Sequence, residues 1–71
     1  MRNERVRATV SRVVSGRGFG FCEVDNEPVF VHVSDFVAYP APALTPGLEV
    51  EFALEDTDRG KRARRIEVVG N

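Results

Sequence analysis

Seventy-one residues predict one domain spanning 1–71, with a core from about residue 5 to 69, and leave no room for a second. At 42% hydrophobic and 30% charged the chain should fold rather than stay disordered, while one cysteine and one histidine exclude an internal disulfide and a structural zinc site. The net charge of −1, taken as a total, argues against a nucleic-acid partner, because such domains are usually basic.

Arg5-Val6-Arg7-Ala8-Thr9-Val10-Ser11 alternates polar with apolar, which sets Val6, Ala8 and Val10 on one face of a first, half-buried strand. Phe19 to Val24 and Val29 to Val33 read as second and third strands, joined by the turn formers Asp25-Asn26-Glu27-Pro28. Ser34-Asp35-Phe36 suits a short capped turn. Val37 to Gly47 carries Pro40, Pro42 and Pro46 and reads as loop; Pro40-Ala41-Pro42 lacks the fuller repeat of a polyproline ligand. Leu48 to Glu55 is the clearest strand, with Leu48, Val50, Phe52 and Leu54 inward. Asp56 to Gly60 turns the chain into a fifth strand, Arg64 to Val69, with Ile66 and Val68 inward. Five short strands without helices predict a small all-β Greek-key barrel, since closure removes exposed edges. An SH3-like barrel has the same periodicity. No apolar run approaches a membrane span, and the arginine-bearing start lacks the apolar stretch of a signal peptide, so a cytoplasmic protein without membrane association is expected.

The informative stretch is Arg17-Gly18-Phe19-Gly20-Phe21. Alternation sends Phe19 and Phe21 to one face and Cys22 and Val24 to the other. If Cys22 and Val24 are core, two phenyl rings stand in solvent at about 1.5 to 3 kcal/mol each, which a small domain should not tolerate without a use for them. In the next strand Val29, Val31 and Val33 alternate with Phe30 and His32, so four rings share one face of two adjacent strands. Such rings edged by arginines suit single-stranded nucleic acid, whose bases stack at about 1 to 3 kcal/mol each. The inverse packing, rings inside and valines outside, needs a covering layer that this length barely provides. His32 could alternatively be a partly buried histidine making a local hydrogen bond, and Cys22 reads as a small core hydrophobe. No nucleophile sits in a motif beside the histidine, so no catalytic residue, metal, cofactor or small-molecule substrate is expected.

Arg17-Gly18-Phe19-Gly20-Phe21-Cys22 resembles the first ribonucleoprotein motif, and Val29-Phe30-Val31-His32 with Ser34 resembles the second motif of cold-shock domains. Their order separates them from RNA-recognition-motif domains, where the second motif comes first and helices intervene. The resemblance covers nearly the whole chain. It implies an oligonucleotide-binding barrel (OB-fold) of five antiparallel strands that holds single-stranded RNA or DNA across strands two and three. By position, Phe19, Phe21, Phe30 and His32 would stack bases, while Arg17 and Arg59 would meet the backbone.

Departures from the family pattern are several. Ser11-Arg12-Val13 stands where Lys-Trp-Phe is usual, although the Arg12 guanidinium could stack on a base. Pro28 stands for a common aspartate, Val33 for an aromatic, and Ala41 at or near a third aromatic position, for which Tyr39 or Phe36 could substitute. The barrel also gives the charge total another meaning. Five arginines against one glutamate in residues 1–20, and five bases against one glutamate in 59–71, flank a middle segment holding nine acids and no base. Arg17 falls in the loop before strand two, and Arg59, Lys61 and Arg62 in or beside the loop before strand five, which predicts a basic rim around the rings. The expectation is a cold-shock-type binder of single-stranded RNA or DNA acting as an RNA chaperone or regulator, monomeric or dimerised by strand exchange. The alternative is a protein-interaction module that kept the barrel and lost part of the platform.

Overall fold

Alternation along the chain becomes five strands in a computed structural model, which describes residues 5–69. Arg2 and Glu4 of the first basic segment, and both ends of the predicted domain, lie outside the described residues. The strands are β1 (Arg5–Val14), β2 (Phe19–Val24), β3 (Glu27–His32), β4 (Glu49–Thr57) and β5 (Gly60–Val68). They close into a barrel in the order β1-β2-β3-β5-β4. β1 pairs antiparallel with β2 and β4, as do β2 with β3 and β4 with β5. Closure is completed by a short parallel contact between β3 and β5, Val29 opposite Lys61 and Phe30 opposite Arg62.

The valine and cysteine faces turn inward. Val10, Cys22, Val29, Val31, Val50, Phe52, Ala63 and Ile66 are sealed from solvent, with Phe36 closing one side. Burying Phe52 and Ile66 against four valines removes the largest apolar side chains from water, at about 1.5 to 3 kcal/mol each. The inverse packing is thereby excluded: the rings of β2 and β3 lie on the outer face.

Two irregularities break the alternation and matter for the site. In β1 the pairing shifts between Val10 and Arg12, so that Ser11 and Arg12 are both exposed while Val10 and Val13 pack inward. Strict alternation would have turned Arg12 toward the core beside Val10. Gly20 sits opposite Val13, next to this bulge, and a Cβ there would overlap the Arg12 carbonyl oxygen and come within 3.1 Å of the Val13 Cα. In β5 the pairing with β4 shifts beyond Ala53–Arg64, and Arg65 adopts a left-handed φ of 53°. Ala63 and Ile66, three apart, are therefore both buried. Val68, expected inward with Ile66, is instead 41% exposed at the end of the strand.

The turns are tighter than their composition suggested. Asp25 and Asn26 alone turn the β2–β3 hairpin, both with left-handed φ (52° and 69°), a conformation these two residue types tolerate best after glycine. Glu27 and Pro28 then join the strand. Asp58 and Arg59 turn β4 into β5, held by Thr57, whose Oγ1 accepts from the Arg59 N–H at 3.1 Å and donates to the Gly60 carbonyl at 2.7 Å. Both strands consequently extend beyond the expected Leu48–Glu55 and Arg64–Val69. Val33, expected at the end of β3, opens a one-turn 3₁₀ helix, Val33–Asp35. Its end is fixed by Phe36, which bridges to Ile66, and by the Val37 N–H, which donates to the Ile66 carbonyl at 2.9 Å. No helix among the described residues is long and apolar enough to cross a membrane.

Candidate nucleic-acid interface

Register places the rings in two facing pairs: Phe21 lies opposite Phe30, and Phe19 opposite His32. Because facing side chains on one side of an antiparallel ladder are close neighbours, the four form one platform. The Phe19 and Phe30 centroids are 5.3 Å apart, Phe21 and Phe30 5.8 Å, Phe19 and Phe21 6.2 Å, and Phe30 and His32 5.9 Å. Phe21 meets both other phenyl rings edge-on, at 87° and 65°. Such angles suit the ring quadrupoles and keep the platform stiff. All four rings stay partly open to solvent.

His32 combines two features the sequence offered, a ring on the exposed face and a local hydrogen bond. Its ring sits on the platform, while Nδ1 accepts the Ser34 backbone N–H at 3.0 Å and lies 2.8 Å from the Ser34 hydroxyl, capping the 3₁₀ turn. In the neutral ring this leaves the proton on Nε2. Arg12, turned outward by the bulge, holds its guanidinium 5.9 Å from the Phe21 centroid, and Arg62 lies over Phe30 at 5.3 Å.

The cations divide into two sets. Arg17 and Arg59 are exposed and, among the described residues, make no salt bridge, as is also true of Arg12. Lys61 and Arg62 do not present the open charge expected of a rim. The Lys61 ammonium is bonded to Asp56 and lies 3.7 Å from Glu27; chiefly the hydrogen bond and charge of Asp56 raise its pKa above the usual lysine value. The Arg62 Nε–H donates to one oxygen of Asp35 at 2.8 Å, Nη2 lies 2.8 Å from the same oxygen, and Arg64 reaches the other oxygen at 3.6 Å. Asp35 and Glu27 were legible only as turn residues. The 3₁₀ turn and the tight hairpin are what bring their carboxylates to β5.

An open groove of about 710 Å³ runs from Phe21 and Phe30 past Pro28 to Arg59, Lys61 and Arg62. Of the two rings named as substitutes in the long loop, Phe36 is buried and presents no face, whereas Tyr39 is 97% exposed; Ala41 packs against the core. Glu23 stands exposed on the ring face beside Phe21, opposite Pro28. Cys22 lies beneath the platform, and burial pushes its thiol up to about 11, which disfavours the reactive thiolate. Among the described residues no cluster of His, Cys, Asp or Glu converges to hold a metal ion.

A closed five-stranded barrel of oligonucleotide-binding type, with stacked rings and arginines on the outer face of β2 and β3, defines a class of proteins that hold single-stranded nucleic acid. Comparison with known proteins narrows the class. The family described as "'Cold-shock' DNA-binding domain" matches residues 6–69. A cold shock-like protein, CspE, of Bacillus anthracis is 42% identical over 53 residues, covering 73% of this chain and 79% of the relative. A cold shock-like protein of Aquifex aeolicus is 35% identical over 66 residues, covering 90% and 94%. Among solved structures, drosophila Unr CSD456 superposes with a TM-score of 0.75 at 21% identity, covering 96% of this chain and 28% of that one, a likeness of fold. The chain belongs to the cold-shock domain family, and is a single-stranded nucleic-acid binder of that type.

Proposed function

We propose that residues 1–71 act as one unit that keeps RNA strands unpaired, an RNA chaperone or regulator working in the cytoplasm as cold-shock proteins in general do. One observation carries this reading: Phe19, Phe21, Phe30 and His32 form a continuous aromatic platform on the outer face of β2 and β3 instead of joining the core. Bases released from a duplex stack on these rings, Arg12 extends the stack, and the exposed Arg17 and Arg59 hold phosphates at the two ends. The chain catalyses no step; it shifts the balance between paired and unpaired strands by binding the latter.

The test is a titration of an end-labelled, pyrimidine-rich heptanucleotide, the label being needed because the chain has no tryptophan. Saturable binding is expected, weakening with salt by a log–log slope of about −0.7 per phosphate neutralised. Excess protein should also lower the melting temperature of a labelled RNA hairpin. Absence of association at high micromolar protein in low salt refutes the reading. The second reading, a protein-interaction module, is favoured by the carboxylates that neutralise Lys61 and Arg62. It would be recognised by Phe19→Ala and Phe30→Ala variants that bind oligonucleotide like the parent.

A further inference from the structure

Arg62 is held differently from every other cation at the platform. Its guanidinium is anchored through Nε and Nη2 to one oxygen of Asp35, whose side chain is only 11% exposed, and Arg64 supports the same carboxylate from its other oxygen. Anchored there, it lies 5.3 Å from the Phe30 centroid and lines the groove that Phe21 and Phe30 open into. A guanidinium has five N–H donors in one plane. Two are engaged by Asp35; among the described residues Nη1 has no partner.

We infer that Arg62 is a base-reading residue that favours guanine at the position stacked on Phe30, with Asp35 as its positioning residue; this rests on the nucleic-acid reading above. Three features lead there. The free edge carries only donors, so it needs acceptors; guanine offers two adjacent ones, O6 and N7, at the spacing of a guanidinium fork, and its purine face stacks more strongly than that of cytosine, whose O2 and N3 are the other adjacent pair. The Asp35 carboxylate fixes the plane of the fork before a ligand arrives, which lowers the ordering cost of a planar, bidentate contact. The same carboxylate cancels the charge of Arg62 locally and would repel a phosphate, whereas a neutral base edge feels no such penalty. Arg17 and Arg59, which make no salt bridge among the described residues, suit phosphate; the paired Arg62 suits a base.

A labelled oligothymidine heptamer and its seven single-guanine variants, titrated in parallel, provide the test. The parent should bind one register of the guanine series roughly 5- to 150-fold tighter than the plain strand, the range of one bidentate base contact. Arg62→Lys, which keeps the charge and loses the fork, should bring that ratio close to one. Asp35→Asn should lower the ratio and steepen the salt dependence by unmasking a cation, and Asp35→Glu should restore part of the preference. Thermal melts confirm folding of each variant before its ratio is compared. A parent with no guanine preference at any register overturns the inference and leaves the platform standing. So does an Arg62→Gln variant that weakens all eight strands equally with a salt slope shallower by about 0.7, the signature of a phosphate contact. If no strand binds the parent, the underlying reading fails as well.

Discussion

Gly20→Ala separates what this barrel requires from what residue preference alone suggests. Gly20 has no left-handed φ, and replacing a strand glycine by alanine ordinarily gains about 0.5–1 kcal/mol by restricting the unfolded chain. Here the new methyl would run into the Arg12 carbonyl oxygen, with the Val13 Cα at 3.1 Å and the Arg12 carbonyl carbon at 3.3 Å. All three are backbone atoms of the bulged strand and cannot rotate away. Relief requires β1 and β2 to separate, so the expected outcome is a net loss of about 1–3 kcal/mol. For a domain of this length that lowers the melting temperature by roughly 5–20 °C, measurable by far-ultraviolet circular dichroism. Because the bulge also aims Arg12 across Phe21, oligonucleotide affinity should fall in the folded variant at low temperature. A variant that melts at or above the parental temperature would refute the account of why glycine stands there.

Phe30→Ala and Phe52→Ala should behave oppositely, although each removes one phenyl ring. The first lies on the outer platform and should cost about 1–3 kcal/mol of binding with folding retained; the second is sealed in the core and should cost about 3–5 kcal/mol of stability. Paired titration and urea denaturation check both, and equal loss of stability in the two would count against the assigned faces. The buried Cys22 thiol, raised from 9.0 to about 11, gives alkaline sensitivity of known sign. The folded state retains the proton that the unfolded chain gives up, so stability is whole below pH 9 and should fall by about 2 kcal/mol by pH 10.5. Lys61, raised from 10.5, adds its own loss only above that value. Denaturation of the parent and of Cys22→Ala across this window should show the decline in the parent alone; a parent that stays level disproves it.

Period-two alternation revealed β2 and β4 well because each stays regular and packs one face on the core. It revealed β5 poorly. The shift at Arg65 places a non-glycine residue in left-handed conformation, with nothing local in Arg64-Arg65-Ile66 to announce it, and it changes which side chains face inward. The β1 bulge was hidden for a similar reason, since neither Ser11 nor Arg12 marks it; its trace in the sequence is Gly20, whose need for close approach is set by the opposite strand. The aromatic platform was legible because motif order and parity are local properties. The state of the rim was not: Asp35 lies 27 residues from Arg62 along the chain, and no pattern in either segment foretells that they meet.

The barrel's join between β3 and β5 rests on the residue pairs Val29–Lys61 and Phe30–Arg62, the shortest run of pairing in the sheet. A closed cylinder parts first at its briefest overlap, and local opening there requires fewer contacts to break than anywhere else around the wall. Phe30 and Arg62 are also the residues over which a bound strand would lie in the proposed binding mode, so the ligand would cross the join from outside like a suture. Free strand at a hundred times its dissociation constant would stabilise the shut form by about 2.7 kcal/mol. How long the wall stays closed thus becomes a property of the surrounding pool of unpaired strands as much as of the polypeptide itself.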